Sequence, residues 1–175
     1  MQSVDTTATF VYNENGLRVQ KTVNGVVTKY TLHSKNVVHM TQSSNNLHFF
    51  YDAQNKPAVV VYNDIPYSYI KNLQGDIVAI LDSTGTAVVN YVYDAWGRPI
   101  SKTGSMAGTL GTVQPFRYRG YVYDEETGLY YLRSRYYNRC CFERLCIHYG
   151  NVCRLTYSAI NEQIRKNAQK PRFRC

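Results

Sequence analysis

Tyr93-Asp94-Ala95-Trp96-Gly97-Arg98-Pro99, YDAWGRP, decides how this chain is read. Asp suits the first position of a type I turn, where its carboxylate accepts backbone N–H bonds from the residues that follow. Gly suits the last position, where φ is positive. A type I turn closed by a left-handed Gly joins antiparallel strands. So Asp94 opens a hairpin turn and Gly97 closes it, and turn chemistry alone accounts for the residue types. Arg98 is expected to cover aromatic faces or to pair with acids of neighbouring hairpins.

The same unit recurs at Asn13–Gly16, Asn72–Gly75 and Asp82–Gly85, with Asn55 replacing Gly in Asp52–Asn55. Asp124–Gly128 is one residue longer, and Asn24-Gly25 reads as a tight two-residue turn. Between the turns the sequence alternates. YVY (Tyr91–Tyr93), YSY (Tyr67–Tyr69) and YVY (Tyr121–Tyr123) each put two tyrosines on one strand face. AVVVY (Ala58–Tyr62), DIVAIL (Asp76–Leu81) and TAVVNY (Thr86–Tyr91) are strand-like by β-branching. Tyr12, Tyr30, Tyr51, Tyr69, Tyr93 and Tyr123 lead into turns at hairpin-scale intervals, an imperfect internal repeat. The expected fold class is all-β, built of repeated antiparallel β-hairpins, with no helix of convincing period before residue 139.

Composition agrees. The chain has 175 residues, 44% hydrophobic and 18% charged, which excludes wholesale disorder. Seventeen tyrosines against six Phe and one Trp fit half-buried strands with wet hydroxyls. No apolar run is long enough to span a membrane as a helix. MQSVDTTATF carries no signal-peptide pattern, so the expectation is either a protein that stays inside or a fragment whose export signal lies elsewhere. Charge and cysteine divide the chain at Asn138/Arg139. All five cysteines and a strong basic excess fall in 139–175.

The residues also carry a family resemblance. Tyr69–Ser105, followed by PFRYRGYVYDEETGLYYLRSRYYN (Pro115–Asn138), closely resembles the C-terminal core of Rhs proteins, the YD-repeat polymorphic toxins of bacteria. Their architecture is related to that of wall-associated toxins, insecticidal toxin-complex shells and teneurins. The structural motif carried over comprises Tyr93, Asp94, Gly97, Arg98, Arg117, Tyr118, Gly120, Tyr123, Asp124, Gly128, Leu129, Tyr130, Tyr131, Arg133, Arg135, Tyr136 and Tyr137. The resemblance covers residues ~10 to 138. It implies a YD-repeat spiral, here a partial shell, with hairpins over 1–105 and the core signature over 106–138.

Such a shell would enclose a C-terminal toxin and help deliver it in competition between bacteria. The implied partners are the rest of the shell, a downstream toxin segment and an immunity protein against that toxin. The implied location is secreted or cell-surface, as part of a larger protein. Nucleic acid and a small-molecule substrate are not expected. Self-cleavage, common in such proteins, is not expected either. No Asp follows Asp124, Glu143 and Glu162 sit among Arg and Lys, and Asp124–Glu126 read as an exposed turn.

Three readings stay open for 139–175. It is a frameshifted end, a genuine variable tail or short toxin tip, or a metal or disulfide knot of Cys140, Cys141, Cys146, His148 and Cys153. The cysteine spacings lack a CxxC pair. Ser158–Lys170 can form a short helix, so the tail is expected to be irregular or partly helical.

No enzyme, cofactor or metal is expected. His33, His39 and His48 show no HExxH or nucleophile motif. GSMAGTLGT (Gly104–Thr112) lacks the Lys-Ser/Thr of a phosphate loop and reads as a flexible linker. The binding alternative is a carbohydrate- or cell-binding module using exposed aromatics. Tyrosines facing inward favour packing; tyrosines clustered on an open face favour binding.

Overall fold

A computed structural model of the chain describes residues 7–133, 136–138, 143–145 and 152–156. Residues 7–103 form a continuous antiparallel meander. Its strands are β1 (Thr7–Tyr12), β2 (Arg18–Val23), β3 (Val26–His33), β4 (Asn36–Gln42), β5 (Asn45–Tyr51), β6 (Pro57–Tyr62), β7 (Ile65–Lys71), β8 (Ile77–Leu81), β9 (Ala87–Tyr93) and β10 (Pro99–Thr103). Each pairs with its sequence neighbour, so the sheet follows chain order without a crossover.

A one-turn helix α1 (Leu110–Val113) and a 3-10 turn (Tyr118–Gly120) lead to a second sheet of β11 (Val122–Asp124), β12 (Leu129–Tyr131), β13 (Tyr136–Asn138) and β14 (Glu143–Leu145). β15 (Val152–Thr156) returns to the first sheet and pairs with β1. The tail, expected to be irregular or partly helical, thus supplies a strand to each sheet. The open sides of β1 and β13 offer unpaired backbone groups, and pairing satisfies them whatever the local sequence. Cys153 lies in β15; Cys140, Cys141, Cys146, His148 and the helix expected over Ser158–Lys170 lie outside the described residues.

The turns form as their chemistry dictates. Asn13, Asp52, Asn72, Asp82 and Asp94 each accept the backbone N–H groups two and four residues on, at 2.8–3.1 Å. Gly16, Gly75, Gly85 and Gly97 close four of them with φ of 69–86°, and Asn55 closes the fifth at 62°. Asn24 and Gly25 both have positive φ, as a two-residue turn requires.

One face of the meander is apolar. Phe49, Val60 and Tyr67 line up across three strands, and Tyr69, Ile80 and Val89 across the next three. All six are buried. Leu110, Phe116 and Val122 from the following segment cover this face. The segment expected to be a flexible linker is therefore packed down. Met106 N–H donates to Val88 O at 2.9 Å, and a Cβ on Gly104 would stand 2.3 Å from that oxygen. Close approach is the job of Gly104 and Gly111, which composition alone reads as looseness. Among the described residues, no helix is long and apolar enough to cross a membrane.

Candidate functional site

The motif residues gather where the core signature meets the meander. Tyr93, ending β9, donates its hydroxyl to Ile77 O at 2.9 Å. Gly97 is buried beneath the Tyr118 ring, whose carbons lie 2.5 Å from the position a Cβ would take. Gly97 O accepts the Tyr130 hydroxyl at 2.7 Å, Ala95 O that of Tyr118 at 3.1 Å and Trp96 O that of Tyr137 at 3.2 Å. Three tyrosines of the signature thus read the backbone of the YDAWG turn. Arg98 departs from expectation. It is exposed and reaches back to Asp94 of its own turn, with Nε 3.4 Å from the carboxylate. The neighbouring hairpins it was expected to bridge are reached by tyrosines instead.

Arg117 is fully buried and acts as a backbone clamp. It donates to Gly111 O at 2.6 Å and Phe116 O at 3.1 Å, and its guanidinium lies 4.4 Å over the Tyr91 ring. Gln114 beside it is equally buried. Its amide oxygen accepts from Tyr69 Oη and Phe116 N–H, both at 3.0 Å. Its amide nitrogen donates to Tyr91 Oη and Phe116 O. Gly120 (φ 69°) turns the chain over Pro57, and Gly128 closes the longer turn by donating to Asp124 O at 2.8 Å. Leu129 and Tyr130 are buried, with Tyr130 4.8 Å from the Tyr123 ring. Tyr131 Oη accepts Arg18 N–H at 2.9 Å, and the Tyr136 and Tyr12 hydroxyls share a bond of 2.8 Å. Arg133 is exposed; Arg135 lies outside the described residues.

Asp124 overturns the sequence reading most sharply. It was expected in an exposed turn; it is fully buried. Arg18 holds both carboxylate oxygens, at 2.6 and 3.0 Å, and Lys21 adds a contact of 3.2 Å. Lys21 also reaches Glu126 at 2.7 Å. Burial pushes the Asp124 carboxyl up, but the Arg18 and Lys21 charges outweigh it and hold the carboxyl below its ordinary value. Burial pulls Lys21 down, and Asp124 in turn raises it well above an ordinary lysine. The Arg18 guanidinium lies 4.4 Å over Tyr131 and 5.2 Å over Tyr30. Arg18 and Lys21 lie in the opening repeat, Tyr12–Gly25, but outside its turn residues. Only strand register, which sets Lys21 opposite inward-facing Phe10, marks them.

The tyrosines favour packing over the binding alternative, although Phe50 and Trp96 are exposed. Tyr30, Tyr67, Tyr69, Tyr91, Tyr118, Tyr123, Tyr130 and Tyr136 are buried; Tyr12, Tyr51, Tyr62, Tyr93, Tyr121, Tyr131 and Tyr137 are half-buried. None of the described tyrosines is exposed, which is an arrangement for packing rather than an open platform for sugar. No cluster of three or more potential metal ligands occurs among the described residues.

Fold and junction together define a class: an open sheet of YD-type hairpins whose one face is closed by its own C-terminal signature. No family model matches the chain. It is 47% identical over 134 residues to the tRNA nuclease WapA of Bacillus subtilis, covering 74% of this chain and 6% of that protein. It is 44% identical over 134 residues to the tRNA3(Ser)-specific nuclease WapA of Bacillus spizizenii, again 74% of this chain and 6% of the relative. Among solved structures, TcdB2-TccC3-TEV matches 78% of this chain and 7% of that chain, with TM-score 0.61 at 19% identity. The Photorhabdus luminescens Tc holotoxin pore with the TccC3-D651A mutation matches 81% of this chain and 7% of that one, with TM-score 0.58 at 20% identity. The likeness read from the sequence holds at the level of the fold. The expectation that no enzyme is involved is corrected: relatives at 44–47% identity carry nuclease names, so the chain is similar to segments of enzymes. A stretch spanning 6% of such a protein shows turn chemistry and packing, and these are silent about catalysis in the whole.

Proposed function

We propose that this chain is the closing segment of an Rhs-type YD-repeat toxin shell. Residues 1–105 supply wall hairpins, 106–138 the core signature that seals them, and 139–175 a divergent basic, cysteine-rich tail. The shell encloses a C-terminal toxin and helps deliver it to competing bacteria, as part of a secreted or surface-borne protein. Its partners are the remaining shell, the toxin segment and that toxin's immunity protein. The nuclease activity in the relatives' names is assigned, within this proposal, to the longer protein as a whole.

One observation carries the reading. Asp124 of the signature is locked to Arg18 and Lys21 of the opening hairpin, across more than a hundred residues. That bond folds the signature onto the inner face of the meander, as the last piece of a wall requires. The test is a graft of residues 7–138 into the matching place of a full-length WapA relative. The expected chimera keeps its C-terminal segment protease-resistant, and D124N makes that segment digestible. Equal digestion with and without the substitution, in chimeras that both fold, would sink the proposal.

A further inference from the structure

A cavity of about 380 Å³ opens between the turns of the meander and the core signature. Its volume lies in the range of small-molecule sites. Its lining is electrically one-sided. Lys35 comes from the β3–β4 turn, Lys56 from the residue before β6 and Arg133 from the residues after β12, with Arg119 at the 3-10 turn. No Asp or Glu is among its lining residues.

The pairing pattern sharpens this. Arg18, Lys21, Lys71, Arg98, Lys102 and Arg117 each have a carboxylate partner. Across the described residues 7–133, Lys29, Lys35, Lys56, Arg119 and Arg133 have no carboxylate within ion-pair distance; Lys35, Lys56 and Arg133 line this cavity, as does Arg119, whose guanidinium lies 5.3 Å over the Tyr118 ring outside it. Lys35, Lys56 and Arg133 reach the same cavity from separate loops, and a cleft lined by one sign of charge attracts the opposite ion. Arg133 is steered by a 3.4 Å contact to Asn36 Oδ1. Tyr51 and Tyr121 add aromatic walls that suit a ring-bearing ligand.

We propose that this cavity is a binding site for a phosphate-bearing ligand of nucleotide size, the phosphates held by Lys35, Lys56 and Arg133. Guanidinium and ammonium donors make their strongest hydrogen bonds to such oxyanions. The protein's own C-terminal stretch is an unsuitable occupant, because Arg165–Arg174 is basic.

The test is calorimetric titration of the full 175-residue chain with ADP, tripolyphosphate, adenosine and a hexaglutamate peptide. ADP is expected to bind saturably at one site, more weakly as salt rises, and adenosine not to bind. K35Q/K56Q and R133Q should each lower ADP affinity by about tenfold or more. K29Q, which removes an unpaired cation outside the cavity, should leave it unchanged. These side chains are exposed, so circular dichroism should show every variant folded. If K35Q/K56Q fails to fold, R133Q alone decides. Absence of saturable ADP binding, equal affinity in R133Q, or hexaglutamate binding tighter than ADP would each overturn the assignment.

Discussion

Asp124 shows how one residue type serves two ends. In five turns an Asp or Asn spends its side-chain oxygen on its own backbone. In the sixth, one residue longer, Asp124 O still closes the turn as in the others, but the carboxylate turns inward to Arg18 and Lys21. Removing the charge leaves Arg18 without a carboxylate in a dry site and Lys21 with Glu126 alone. D124N is therefore expected to cost about 3–5 kcal/mol, the usual loss when one partner of a buried pair is removed. Denaturant midpoints measure it, and a loss within experimental error would show the pair to be dispensable. The pH dependence follows from the lowered folded pKa. Its contribution is full above the unfolded value of about 4 and is lost as pH falls through the lower folded value. Acid titration of the wild type should show that limb, and D124N should lack it.

At the scale of the hairpin, the turn glycines separate two costs. Gly85 has φ 84° and open space around the position of a Cβ. G85A should cost about 1–2 kcal/mol for the left-handed backbone alone. Gly97 has φ 85° with the Tyr118 ring at 2.5 Å, so G97A adds overpacking of about 1–3 kcal/mol. G97A should also disturb the Tyr130 bond to Gly97 O. Parallel denaturation curves check this, and equal losses would mean that the ring moves aside freely. These turns were legible in the sequence because Asp/Asn-x-x-Gly chemistry is local. The turns at Ser34-Lys35 and Ser43-Ser44 were not. Their serines adopt φ of 55° and 52°, which strand pairing imposes and serine does not announce. The Asp124 cluster and the cationic cavity were hidden for a related reason. Each joins residues from opposite ends of the chain, and the local context of Asp124 is the same Tyr-Asp that elsewhere makes an exposed turn.

For the whole molecule, edges and tyrosines set the behaviour. Among the described residues β10 pairs with β9 alone, and Ile100 on it is 60% exposed. Pro99 and Lys102 blunt that edge, but Phe50, Ile65, Ile70 and Val92 keep the outer face apolar. The isolated chain should self-associate with rising concentration, and light scattering showing a monomer throughout would contradict this. The tyrosines govern the alkaline limit. Burial raises the phenol pKa of Tyr51, Tyr69, Tyr91, Tyr93, Tyr131 and Tyr136 above the ordinary value. A group raised on folding contributes fully below its unfolded pKa, about 10 here, and that stability drains away as pH climbs toward the folded value. Several hydroxyls share one core, so their ionisation and the loss of the sheet should be a single event. Ultraviolet tyrosinate absorbance and far-ultraviolet circular dichroism, followed together on raising pH, should change in one cooperative step above about pH 10. If the tyrosines instead ionised smoothly with the sheet intact, their hydroxyls would have to be in water, and the packing of the signature against the meander would be wrong.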